Sequence, residues 1–363
     1  MGAVLKILSP GVFSSLQDRG RLGFGAYGVP RSGAADPVGL RIGNYLLGND
    51  AFETAIEFRF LGPKILIESG SVRLALAGDA TADLLLSENE EPVKISPWQT
   101  VRLNEGDILS VMPLTKGATG YLALEGGFDL EHVLGSCSTY ARAGLGGVNG
   151  KNLQQGDCLS ARLDHPREMI EKIVKHPPTY GEAPLRVLLG PQDDYFSDET
   201  CAAFEVESYR VSSDVDRMGI RLEGAALAPL PEKGSDLVSD GLVPGAIQIP
   251  GSGQPIVLFV DCQTIGGYPK IATVITADLH HLGQVVPGSS IRFRIVTPDE
   301  ATAALTEREQ LVQQIENSVV DHFGEGFLDL KALYQSNLIA GVVNAKSSGH
   351  FPGHLEENSH ETD

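Results

Sequence analysis

Asp261-Cys262-Gln263-Thr264-Ile265-Gly266-Gly267-Tyr268-Pro269-Lys270 is a short polar loop between two apolar runs. Pro255-Ile-Val-Leu-Phe-Val260 precedes it and Ile271-Ala-Thr-Val-Ile275 follows it. Both runs have the length and β-branched content of strands. Paired glycines let a backbone bend sharply or approach another group closely, and loops held by rigid strands are where binding groups tend to sit. A plain hairpin with a solvated lysine fits these residues equally well.

Short apolar runs of the same kind recur along the chain, at Lys64–Ile67, Val72–Leu76, Asp107–Met112 and Gly120–Leu124, each bounded by Gly, Pro, Asn or Asp. Forty-two glycines and 21 prolines in 363 residues favour many turns over long helices. The expected fold is therefore mainly β, a many-stranded antiparallel barrel or sandwich. Helical signals are few. Asp36-Pro37 can cap a helix through Leu47, ending at Gly48-Asn49, with Leu40, Tyr45 and Leu47 on its apolar side. Thr297-Pro298-Asp299-Glu300 starts another that runs to about Val320. A shorter helix is expected around residues 327–338 and a disordered tail over 346–363.

Residues 172–184 contain three prolines and Gly181, and read as a linker with little to offer a core. Beyond it the chain echoes itself. Leu5-Lys-Ile-Leu with Gln17-Asp18 matches Leu185-Arg-Val-Leu with Gln192-Asp193, Ile56–Gly62 matches Ile220–Gly224, and Tyr121–Gly127 matches Ile256–Phe259 with Gly266-Gly267. A duplicated domain with a shorter second copy fits, as does chance likeness between generic strands.

The net charge is −19, of which residues 299–363 contribute −9 from 12 acidic and 3 basic side chains. Such a surface repels phosphate backbones and argues against nucleic acid. No run approaches the roughly 18 apolar residues of a membrane span, the N-terminus has no signal-peptide pattern, and the four cysteines are widely spaced. A cytoplasmic protein without disulfides or a metal cluster is expected. Gly23-Phe-Gly25-Ala-Tyr-Gly28 spells a dinucleotide fingerprint, but no buried strand leads into it and Pro30 interrupts the helix that should follow. Gly146–Asn152 is like a phosphate loop without its spacing, there is no Gly-x-Ser-x-Gly elbow, and Ala-Met-Lys-Met, the usual biotin acceptor, is absent. His280-His281 suit packing better than metal or base chemistry, Cys262 reads as a small buried hydrophobe, and His350 and His354 are separated by Pro352.

What remains is polar. Gln17, Asp18 and Arg21 form one set, Ser138, Thr139, Tyr140 and Arg142 a second, and Gln192, Asp193, Gln263, Thr264, Tyr268 and Lys270 a third. Each pairs a cation with amide or hydroxyl groups, as needed to hold and polarise a small amide, carboxylate or carboxyphosphate-like species. Turn-stabilising hydrogen bonds are the plainer reading of each residue taken singly.

The loop first quoted, Asp261-x-Gln263-Thr264-x-Gly266-Gly267-Tyr268-Pro269-Lys270-Ile271-Ala272, resembles the C-terminal signature of the 5-oxoprolinase C-subunit family, also called the biotin-dependent carboxyltransferase, allophanate hydrolase subunit 2 or KipA-like family. Gln17–Arg21 with Gly28–Asp36, Gly135–Arg142, Gly190–Asp194 with Asp216–Gly219, and Gly241–Gln248 agree in family order over roughly residues 5–297. The resemblance implies two tandem cyclophilin-like β-barrel domains, 1–175 and 185–297, joined by a linker over 176–184 and followed by a helical extension over 298–345. It implies one component of an ATP-dependent amidohydrolase, inactive alone, that opens 5-oxo-L-proline to L-glutamate with an A-subunit and a KipI-like B-subunit. ATP would be used by the complex, with no covalently bound cofactor. Lys270, Arg21 and Asp18 would be catalytic, and Ser32, Gly266 and Gly267 would join the polar residues above in binding substrate. Two rival readings follow from the same family: a module moving CO2 from carboxybiotin to urea or a related amide, and a regulatory protein antagonising a histidine-kinase inhibitor.

Overall fold

The computed structural model describes residues 2–181 and 183–323; the helix expected at 327–338, the tail at 346–363 and the pair His350/His354 lie outside them. The described chain is mainly β. One sheet runs in the order Cys158–Ser160, Val4–Ser9, Lys64–Ser69, Ile108–Val111, Ala82–Leu85, Val93–Ile95. A second runs Ser15–Gln17, Ala55–Arg59, Thr119–Leu124, Ser71–Ala77, Gln99–Asn104, Glu171–Val174, Val319–His322. Alternation decides how they pack. Leu74 and Leu76 join Leu5, Ile65 and Leu109 of the first sheet in one apolar core. Ala75 and Ala77, alternating with them in sequence, face the other way, under the helix α1 (Pro37–Leu47).

Sequence sets α1 closely. Asp36 caps it by accepting from the N–H groups of Val38 and Gly39, both at 3.0 Å, Pro37 opens it and Gly48 closes it at φ 70°. Gly43 lets it sit low, since a Cβ there would come within 3.1 Å of the Ala77 methyl. Leu40 and Leu47 are buried as expected, with Ile42 and Leu46, but Tyr45 is 42% exposed and belongs to the solvent side. The helix α4 (Pro298–Asn317) begins in a full capping box between Thr297 and Glu300 and packs Val312 and Ile315 onto the same layer.

A third sheet runs Ser290–Ile291, Tyr209–Val215, Gly219–Glu223, Ile256–Leu258, Ala246–Gln248, Lys270–Val274, Leu185–Leu189, Phe293–Ile295. Its first and last strands are separated in sequence by Arg292 alone, so the sheet curls into a nearly closed barrel. Val187, Val211, Ile220, Val257 and Phe293 fill it, and the helix α2 (Asp198–Val206) adds Phe204, stacked on Phe293 at 4.7 Å. The pairing of Leu185–Leu189 with Phe293–Ile295 is parallel, an exception to the antiparallel pattern.

Three readings from sequence meet their test here. The runs flanking Gly266-Gly267 do not form a hairpin, because Ala246–Gln248 lies between them and pairs with both. Residues 172–184 do contribute to a core: Val174 is buried and Tyr180 packs beside it, placing its hydroxyl 2.5 Å from Asp36 Oδ2. The echoed segments behave alike only in part: Ala55–Arg59 pairs antiparallel with Thr119–Leu124 as Gly219–Glu223 does with Ile256–Leu258, but Val4–Ser9 pairs antiparallel with Cys158–Ser160 whereas Leu185–Leu189 pairs parallel with Phe293–Ile295.

The residues before and after 176–184 are tightly stitched. Arg217 meets Glu57 at 2.5 Å and the Gly33 carbonyl at 2.7 Å, the Ser32 N–H donates to the Val260 carbonyl, and Gln284 Oε1 accepts from the N–H groups of Ala118 and Thr119. All described residues to Asp321 form one compact unit. No helix of the described residues is long and apolar enough to cross a membrane. The four cysteines are free thiols; Cys262 is buried among Leu242, Ala246 and Leu258, and burial pushes its pKa up to about 12.

Candidate functional site

The first polar set is an internal scaffold. Asp18 is 8% exposed. Its Oδ1 accepts from Gly20 N (2.8 Å), Ser136 Oγ (2.6 Å) and Ser138 Oγ (2.5 Å), and its Oδ2 from Cys137 N (2.7 Å). A carboxylate so occupied fixes the turn that leads into Thr139–Arg142. Arg21 is buried against the same turn, donating to the carbonyls of Ser138 (2.6 Å) and Val133 (3.1 Å). Burial lowers its pKa, with Asp18 opposing. Gly146 is required there: at φ 65°, a Cβ would strike the Ser138 carbonyl and the Arg21 guanidinium. Gln17 is fully buried and donates to Ser15 Oγ and Thr139 O. Ser32 lies apart, in a small recess with Asp18, Arg19 and Arg31.

Lys270 is not solvated. It is 4% exposed, with its Nζ 2.6 Å from Asp240 Oδ2 and its backbone N–H donating to Gln192 Oε1. The hydrogen bond from Lys270, followed by that from the Gly241 N–H, holds the Asp240 carboxyl below its usual range. Asp240–Gly241 in turn forms a two-stranded ribbon with Ile265–Gly266, so the lysine braces the glycine loop from behind. A Cβ at Gly266 would come within 2.7 Å of Leu242 Cδ1 and 3.0 Å of Gln248 Nε2. Asp193 lies exposed in a short 3₁₀ turn, and the Thr264 carbonyl accepts from the Leu242 N–H. Neither borders the cleft described next.

That cleft has two adjoining compartments, of about 170 and about 530 Å³, which share Arg142, Val215, Asp216 and Met218. Thr139, Tyr140 and Arg142 border the smaller one, and Gln263, Tyr268 and Gln248 the larger. Segments far apart in the chain thus meet across one opening, and the sequence sets that meet are the second and part of the third. Burial, then the charge of Asp261, raises the pKa of the Tyr140 phenol, which keeps it a hydrogen-bond donor at neutral pH.

Three residues of the cleft were not singled out by their chemistry in sequence. Arg217 lines it and grips Asp261 with two bonds, at 2.8 and 3.1 Å, while also meeting Glu57. Burial disfavours its charge, but Asp261 and Glu57 outweigh that and raise its pKa. Gln248 is 2% exposed, and its Nε2 is without a partner among the described residues. Arg59 reaches the smaller compartment from the strand Ala55–Arg59. The available signal was the alternation Ile56-Glu57-Phe58-Arg59, which puts two charges on one face of an otherwise apolar strand.

Residues 27–295 match the model of the carboxyltransferase domain, subdomain A and B. The chain is 37% identical over 314 residues to the 5-oxoprolinase C-subunit of Escherichia coli K12, covering 86% of this chain and 97% of that one, and 36% identical to its Haemophilus influenzae counterpart over 84% and 96%. It is 31% identical to the urea amidolyase of Lachancea kluyveri over 86% of this chain but 18% of that one. The crystal structure of the K. lactis urea amidolyase superposes with a TM-score of 0.77 at 27% identity, over 90% of this chain and 21% of that chain. The chain belongs to the family of 5-oxoprolinase C-subunits and carboxyltransferase domains.

Proposed function

We propose that this chain is the C-subunit of an ATP-dependent 5-oxoprolinase, opening 5-oxo-L-proline to L-glutamate together with the A- and B-type components of that enzyme. The observation that carries the reading is the degree of sequence likeness: the chain is 37% and 36% identical to two 5-oxoprolinase C-subunits, against 31% to the L. kluyveri urea amidolyase, over similar shares of its length. The cleft supports it chemically, because Tyr140, Arg142, Gln248 and Gln263 offer the donors that a small lactam acid needs. Within it, Tyr140, Arg142, Gln263 and Tyr268 hold the substrate, and Asp18 and Arg21 position the turn that carries Thr139 and Tyr140. Lys270, opposite Gln248 on the neighbouring strand, supplies positive charge behind the Gly266–Gly267 loop. In the same reading, residues 1–175 and 185–297 are the two cyclophilin-like barrels.

ATP belongs to the complex in this proposal. Gly146–Asn152 does not fit a phosphate loop: it folds into turns, with Gly147 N donating to Cys137 O and Gly150 N to Gly146 O, and no helix follows. The chain's own part is to bind and orient the lactam and to exclude water from it. A second reading, transfer of CO2 from carboxybiotin to urea or a related amide, draws on the urea amidolyase likeness. The chain should be purified with and without its two partner proteins and assayed for ATP-dependent release of glutamate from 5-oxoproline and for urea-dependent consumption of carboxybiotin. Turnover of 5-oxoproline only when all three proteins are present is the expected result. Robust turnover by the isolated chain removes the need for partners, and urea carboxylation without 5-oxoproline turnover replaces the proposal with its rival.

A further inference from the structure

Arg59 is 4% exposed and lines the smaller compartment of the cleft. Its Nη2 donates to the Val285 carbonyl at 3.3 Å, and among the described residues its Nη1 has no partner. Among the described residues it makes no ion pair within 4 Å, whereas the neighbouring Arg217 holds both Glu57 and Asp261. The lining thus carries three guanidiniums, Arg59, Arg142 and Arg217, against two carboxylates, Asp216 and Asp261. Both carboxylates are engaged: Asp261 with Arg217, and Asp216 with the N–H groups of Met218 and Gly219. A buried cation with a free N–H is costly unless something completes it.

We propose that Arg59 is the carboxylate anchor of the cleft, so that the ligand it selects is an anion and not a neutral amide. A carboxylate entering the smaller compartment supplies the acceptor that Arg59 Nη1 lacks. Arginine suits this because its planar fork matches a carboxylate with two parallel bonds. Urea, neutral and a weak acceptor, leaves Arg59 uncompensated. The assignment deepens the 5-oxoprolinase reading and takes from it only the identity of the ligand: the carboxylate of 5-oxoproline sits at Arg59, and its lactam points toward the larger compartment with Gln248 and Gln263.

The test compares matched acids and amides by calorimetry on the full chain, cyclopentanecarboxylate against cyclopentanecarboxamide and 5-oxoproline against its carboxamide. Each acid is expected to bind tighter by about tenfold or more, the size of one charge-assisted hydrogen bond, and Arg59→Gln is expected to erase the difference. Should Arg59→Gln fail to fold, Arg59→Lys takes its place, keeping the charge but losing the fork, and the preference is expected to shrink. Equal binding of acid and amide by the unaltered chain overturns the inference, as does an acid preference that survives in a folded Arg59→Gln. A preference for cyclopentanecarboxylate that depends on Arg59, with 5-oxoproline bound no better than its carboxamide, upholds the anchor and removes the 5-oxoprolinase reading.

Discussion

Arg217 and Lys270 make opposite demands on the protein. Arg217 satisfies two buried carboxylates at once, Glu57 at 1% exposure and Asp261 at 7%. Arg217→Met leaves both uncompensated, and removing one partner of a buried ionic cluster costs about 3–5 kcal/mol. Denaturant unfolding is expected to show a loss of that size; a loss below about 1 kcal/mol would mean that the cluster is solvated. Lys270→Met leaves only Asp240, which is half exposed, so its effect on stability is expected to be small. Lys270 lines neither compartment, so its effect on turnover by the assembled complex is expected to be indirect, through the Asp240–Gly266 ribbon, and well below the ~100-fold scale of losing a preorganised donor at a reacting group. A loss on that scale with intact assembly would instead place its charge at the reacting group. At this scale residue types were legible in the sequence but access was not. Asp18, Arg21 and Tyr140 all stand on polar, glycine-flanked loops, yet the first two are consumed by hydrogen bonds to the Ser136–Ser138 turn, and of the three Tyr140 alone meets the cleft. Arg59 was hidden by its strand, because its importance comes from an empty hydrogen-bond position that only packing reveals.

Helix ends were the most legible elements, since capping is local chemistry. Asp36-Pro37 and Thr297-Pro298 start α1 and α4 where their side chains can reach the free N–H groups. Strand runs were legible for the same reason, and Lys64–Ser69, Ser71–Ala77, Ile108–Val111 and Thr119–Leu124 fall on the runs read in sequence. Pairing was not, because it depends on distant segments: nothing local places Ala246–Gln248 between the two runs around Gly266. The helix α3 (Leu279–Gly283) carries a prediction of its own. His280 and His281 pack against Tyr180, with Asp36, Asp278, Arg186, Arg308 and Glu307 around them. Burial, helped by Arg308 for His280 and by His280 for His281, lowers both pKa values to about 4 from 6.5. The unfolded chain therefore binds these protons first. Their contribution to stability is complete above about pH 6.5 and is lost as pH falls toward and through 4, by on the order of 3 kcal/mol for each histidine. Melting temperature against pH is expected to fall over that window and to flatten in a His280→Gln, His281→Gln double variant; an unchanged slope would place the acid sensitivity elsewhere.

On the scale of the whole molecule, the strongly acidic chain offers a cleft whose smaller compartment is lined by more cations than anions. The cations of the lining offset, at the cleft, the repulsion that the acidic surface exerts on an anionic substrate. The cleft also depends on the stitching across residues 176–184, since Thr139–Arg142 and Asp216–Gly219 come from opposite sides of that segment. The most direct measurement is a crystal structure of the chain grown with 5-oxoproline. The expected result is 5-oxoproline between Tyr140, Arg142 and Gln263, with its carboxylate on Arg59. The ligand bound instead in the recess of Ser32 and Arg31, or on the Lys270–Asp240 side of the glycine loop, would contradict the assignment of the cleft.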